Sequence, residues 1–116
     1  MSDFTWITSL DDLTEAAECF RTLAHPVRLR MIEVLLDHRL TVGEIAELCE
    51  IQPHAASEHL GMMRDRGLLD AEREGRKMFY TIAEPGLRSI MDCVHRRYRG
   101  EPSCDRPPVN QKENAR

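Results

Sequence analysis

The chain has 116 residues and a formal net charge of −4, enough for one domain with its own core and short for a large catalytic cleft. Hydrophobic residues make up 41% and charged residues 31%, the balance of a soluble globular domain, with no apolar run long enough for a membrane span. Met1 to Leu10 has no Lys or Arg and carries Asp3, so a secretory leader is not expected and a cytoplasmic location is.

An acidic excess argues against a nucleic-acid partner, but its distribution weakens the objection. Residues 1–18 hold five acids, Asp3, Asp11, Asp12, Glu15 and Glu18, and no Lys or Arg. The remaining residues keep 16 basic and 15 acidic side chains, a net of +1, which leaves room for a small basic surface.

In chain order, residues 1–8 read as an acidic N-terminal segment. Ser9, three before Asp12, predicts an N-cap. Leu10, Leu13, Ala17, Phe20 and Leu23 then recur near the helical period. His25-Pro26 ends this helix, and Pro26 suits the first turn of the next, which carries Val27, Met31, Ile32, Leu35 and Leu36. Thr41 and Glu44 match a capping box, followed by a short helix expected to bury Ile45, Leu48 and Cys49. Glu50-Ile51-Gln52 is a tight connection. Pro53 starts a helix that runs to about Arg66, with Gln52 as an imperfect cap and Gly67 as its stop. Leu68–Glu72 and Lys77–Ile82 read as two strands joined by the turn Arg73-Glu74-Gly75-Arg76. Pro85 opens a last helix with Leu87, Ile90, Met91, Val94 and Tyr98, closed by Gly100 and Pro102. The domain thus spans residues 9–100, and residues 101–116, with three prolines and few large apolar groups, read as a disordered tail.

Two short helices joined by a tight connection and followed by a hairpin make a winged helix-turn-helix, mainly α with a small β-hairpin. The second short helix is the candidate reader of the major groove, presenting Gln52, His54, Ala55, Ser57, Glu58 and His59. Gln can bond adenine bidentately, Ser is versatile, and Ala can touch a thymine methyl. Arg64 and Arg66 lie at the far end of that helix. The hairpin turn adds Arg73, Arg76 and Lys77, suited to phosphate or minor-groove contact. The competing reading of these charges is a solvated surface, since Glu72 and Glu74 are interleaved with them.

Three stretches carry a resemblance. LAHPVRLRMIEVLL, AASEHLGMMRDRGLL and REGRKMFY, in that order, resemble the opening, reading-helix and wing motifs of the ArsR/SmtB family of bacterial repressors, over roughly residues 16–98. The resemblance implies a homodimer built through the first and last helices, about 9–23 and 86–99. It also implies a palindromic double-stranded DNA operator and release of a repressor by an inducer. One departure is Glu58, where the family often has Arg or Gln. A carboxylate there repels phosphate, accepts from cytosine N4, or pairs with a neighbouring cation.

The sensor sites implied by the resemblance are largely missing. Thr41 and Gly43 stand where a two-thiol motif would be, residues 26–36 contain no cysteine, and Asp92 and His95 are followed by no further histidine. Cys93, Cys104 and His95, with Cys19 from the first helix, remain as a candidate thiol site. Soft thiolates suit arsenite, or zinc with an added imidazole, and a Cys93–Cys104 or Cys19–Cys93 disulfide switch is a further route. The alternative is a buried Cys19 and Cys93 with an inert tail thiol. Cys49 and the methionines at 31, 62, 63 and 91 read as core. Arg28 is either a phosphate contact or internal. No nucleophile–base pair, phosphate-cradling glycine loop or HExxH occurs, so an enzyme is not expected. The competing function is a winged-helix module that binds protein in place of DNA.

Overall fold

The structure, a computed structural model, describes residues 3–100; the expected tail lies outside the described residues. Ser9 Oγ accepts from the Asp12 N–H and opens α1 (Leu10–Leu23), with Asp11 and Asp12 in the first turn where the helix dipole favours acids. α2 (Pro26–Leu35) starts on a proline, and Nδ1 of His25 caps it by accepting from the Val27 N–H at 3.2 Å. The capping box at Thr41 forms in full: Thr41 Oγ1 accepts from the Glu44 N–H, and Glu44 accepts from the Thr41 N–H at 2.9 Å. It starts α3 (Val42–Cys49), which ends at Glu50 in the left-handed region, φ +60°. α4 (Pro53–Asp65) follows, with no side-chain bond from Gln52.

The hairpin is tighter than the sequence suggests. β2 (Leu69–Glu74) and β3 (Lys77–Ile82) pair antiparallel as far as Glu74 opposite Lys77, leaving a two-residue turn. Gly75 takes the positive φ, +64°, that such a turn needs at its first position. A strand not anticipated, β1 (Leu40–Thr41), lies on the other edge of β3, giving the order β1-β3-β2. α5 (Gly86–Arg99) completes the fold and is closed by Gly100 at φ +70°.

Met31, Ile32 and Leu35 of α2, Ile45 and Ala46 of α3, Ala56, Leu60 and Met63 of α4, Leu69, Tyr80, and Leu87 and Met91 of α5 form one buried cluster. Each large apolar side chain buried this way contributes about 1.5–3 kcal/mol. The cluster clamps α3 and α4 to α2 and the sheet and thereby fixes the angle at which α4 is presented. Two expectations fail. Leu48 is exposed and Ala46 is buried in its place, and Met62 is exposed beside a buried Met63. In each place two neighbouring positions compete for the inward side and packing takes one: Ala46 over Leu48, and Met63, as read, over Met62.

α1 departs most from its reading. Of its five periodic apolar residues, only Leu23 is buried; Leu10, Leu13 and Phe20 are exposed. The helix is amphipathic, and most of its apolar face is uncovered among the described residues.

Candidate nucleic-acid interface

The exposed side of α4 follows from helical spacing. Ala56, Leu60 and Met63 point inward, so Gln52, His54, Ser57 and Glu58 face solvent, with Ala55 half-covered. The helix enters this surface N-terminus first, the end that attracts anions. Among the described residues, Glu58 has no hydrogen-bond or ion-pair partner, which removes the neighbouring-cation reading. At the far end, Arg64 sits 3.7 Å from Asp65 and Arg66 reaches Glu18 of α1 at 3.4 Å.

His59 turns away from that surface. Its Nδ1 accepts from Nε of Arg28 at 3.0 Å, and its ring lies 4.8 Å, centroid to centroid, from that of His25. Burial, and then the Arg28 and His25 charges, push its pKa below the ordinary imidazole value of 6.5, against an opposing pull from Glu58. Arg28 also donates to the Thr22 carbonyl at 2.9 Å, so the structure places it inside the domain. His59, which the sequence places among the groove-facing residues, instead makes a structural bond inside the domain.

At the hairpin, Arg73, Arg76 and Lys77 converge. Together with Thr41, Val42, Gly43 and Met78 they line a hollow of about 390 Å³ beside the N-terminus of α3. None of the three cations forms an ion pair among the described residues. The acids that complicated the sequence reading are neutralised elsewhere. Arg39, 3.9 Å from the centroid of the Phe79 ring, bonds Glu72 at 3.3 Å and Glu74 at 2.6 Å. Sequence reasoning missed Arg39, because its place beside the hairpin depends on β1, a two-residue strand with no signal of its own. The hollow and the α4 face together offer three cations and an uncommitted set of polar groups, the means to hold a phosphate backbone and touch base edges.

The candidate thiol residues stay apart. Cys19 is half-buried on α1, Cys93 is exposed on α5, and Nε2 of His95 lies 2.8 Å from Glu33 of α2. Cys104 lies outside the described residues, and among the described residues no three His, Cys, Asp or Glu stand close enough to share a metal ion. Burial pushes the Cys49 thiol up, consistent with a packing role. No described helix is long and apolar enough to cross a membrane.

A family model described as a helix-turn-helix domain matches residues 23–72. The transcriptional activator HlyU of Vibrio cholerae is 31% identical over 84 residues, covering 72% of this chain and 78% of the relative. The structure of reduced HlyU has a TM-score of 0.70 to this fold at 30% identity, covering 76% of this chain and 93% of that one. The biofilm growth-associated repressor of Agrobacterium fabrum is 33% identical over 82 residues, 71% of this chain and 70% of the relative. The solution structure of the homodimeric winged helix-turn-helix DNA-binding domain of Mb0332 from Mycobacterium bovis has a TM-score of 0.67 at 26% identity, covering 82% and 84%.

Proposed function

We propose a specific role for this chain, which belongs to the ArsR/SmtB family of winged helix-turn-helix transcriptional regulators: it is a cytoplasmic repressor that binds a palindromic operator as a homodimer and is released by an inducer. The observation that carries the reading is the hollow where Arg73, Arg76 and Lys77 meet, none of them in a close ion pair among the described residues. Three cations gathered at the tip of a wing, with Glu44 drawing only on Lys77, on a chain whose net charge is −4, are arranged to hold phosphate. α4 supplies the base-reading face, and two-fold symmetry would double both into matching half-sites. Relatives include proteins named as repressors and one named as an activator. The chain acts as a repressor, with the inducer favouring the low-affinity conformation.

The test is a fluorescence anisotropy titration of the reduced protein on DNA from upstream of its own gene at two salt concentrations. Arsenite, zinc or an oxidant is then added to identify the inducer's class. The wild type is expected to bind with a steep negative salt dependence. Replacing Arg76 and Lys77 by Ala should flatten it by about one unit of slope per lost phosphate contact. An unchanged slope takes the wing out of the interface, and no binding to any upstream fragment rejects the reading.

A further inference from the structure

The α4 surface has two features that nothing inside the domain accounts for. One is Glu58, an acid placed on the face meant for a polyanion, exposed and, among the described residues, without a hydrogen-bond or ion-pair partner. The other is Gly61, one turn further along the same side of the helix. Glycine in a helix interior is unfavourable beside alanine, and usually a close neighbour explains it. Here a Cβ at position 61 would meet no atom within 4 Å. Ser57, Glu58 and Gly61 share one stretch of helix surface by their i, i+3 and i, i+4 spacing. Those three positions hold no cation, Arg64 following one turn further on, and a side chain has room to start at Gly61 beside the acid.

From these we infer that Glu58 is the specificity-determining residue of the reading helix, accepting a hydrogen bond from the exocyclic amino group of cytosine, while Gly61 lets the helix seat close to the groove floor. This inference rests on the DNA-binding reading above. The chemistry selects the base. An ionised carboxylate is acceptor-only. In the major groove, guanine offers only N7 and O6 acceptors and thymine an O4 acceptor, so each repels it. Adenine couples its amino donor to the N7 acceptor beside it. Cytosine N4 is a donor with no acceptor on its own edge. Glu58 therefore works in two ways. It repels phosphates on every sequence, and it recovers that loss only where cytosine stands opposite. The wing cations supply the sequence-independent attraction that the acid withholds, which divides affinity and selectivity between hairpin and helix.

The experiment is selection of bound duplexes from a randomised library by the full-length chain, wild type against Glu58→Gln and Glu58→Ala. Affinities for the enriched half-site and its single-base variants are then measured. The wild type should fix cytosine at one position of each half-site and lose about tenfold in affinity when that base is changed. In Glu58→Gln the preference at that position should move to adenine, and in Glu58→Ala it should vanish while the rest of the half-site is unchanged. Glu58 has no internal partner, so thermal melting should show all three proteins folded. Gly61→Met, whose Cβ would meet nothing within 4 Å in the free protein, should keep the fold and weaken binding to every sequence. If both Glu58 variants enrich the wild-type half-site and simply bind it tighter, Glu58 is only repulsive and the inference is overturned. Unchanged affinity in Gly61→Met overturns close seating. If the wild type enriches no sequence at all, the DNA-binding reading itself falls, a different result from either of these.

Discussion

Arg28 donates from Nε to Nδ1 of His59 at 3.0 Å, and this one bond ties the reading helix to α2. Because Nδ1 must accept, His59 is neutral here and carries its proton on Nε2. A second donor of Arg28 holds the Thr22 carbonyl at the end of α1, so three helices meet on one guanidinium. Protonating His59 would set imidazolium against guanidinium and break the link to α4.

The pH dependence follows in sign. The folded-state pKa of His59 lies below 6.5, chiefly through desolvation. The unfolded chain therefore binds the proton more readily, and folding stability rises with pH across the interval between the two values. The contribution is present above about pH 6.5 and is lost as the pH falls through the depressed folded value. Urea midpoints measured from pH 7.5 downward should show wild type losing stability in this range. His59→Gln, which keeps an acceptor for Arg28 and does not titrate, should lose less. Equal slopes for the two proteins would remove His59 from the linkage.

Arg39 is 37% exposed and holds two exposed acids, so its ion pairs are worth about 0–1 kcal/mol each for stability. Its larger effect is on the wing's charge. Arg39→Ala should shift the melting temperature little. It should weaken DNA binding by roughly fivefold at low salt, uniformly across sequences and less so as salt screens the freed Glu72 and Glu74. A variant that binds as tightly as wild type at low salt would show that those carboxylates lie too far from the phosphates to matter.

Glu50 occupies the left-handed region at φ +60°, where a side chain other than glycine's is strained. Glu50→Gly relieves that strain and gives back part of the gain through the freer unfolded chain. The net expectation is stabilisation of about 0.5–1 kcal/mol in urea unfolding. Destabilisation would mean that the turn is held by something other than its backbone.

How much of this was legible varied with the range of the interaction. Ser9, Pro26, the Thr41–Glu44 box, Gly67 and Gly100 announce the helix ends because caps act within a few residues. Order and spacing then place α3, α4 and the hairpin. β1 was not legible, since a two-residue strand has no period and exists only by pairing with Tyr80 and Phe79. Arg39 vanished from the reading with it. The Arg28–His59 bond joins residues 31 apart, and neither carries a local signal of the other. Leu48 and Met62 were misplaced because one turn of helix offers two neighbouring apolar positions and tertiary packing takes one.

α1 had the clearest helical period in the sequence, yet most of its apolar stripe is uncovered, and that mismatch supports a second copy of the chain as what covers it. Leu10 is 79% exposed, Phe20 57% and, on α5, Tyr98 78%. Ala16, Cys19, Phe20, Leu23, Leu87 and Ile90 border an apolar hollow of about 390 Å³ between the two helices. An aromatic anchor at the centre of such an interface is worth about 2 kcal/mol or more, so Phe20→Asp should raise the dimer dissociation constant at least roughly thirtyfold. Phe20 is outside the buried core, so circular dichroism should show the fold intact. Sedimentation velocity should then find monomer where the wild type is dimer, and operator affinity should fall with it, because one subunit grips only one half-site. A Phe20→Asp protein that still sediments as a dimer would place the interface on another surface.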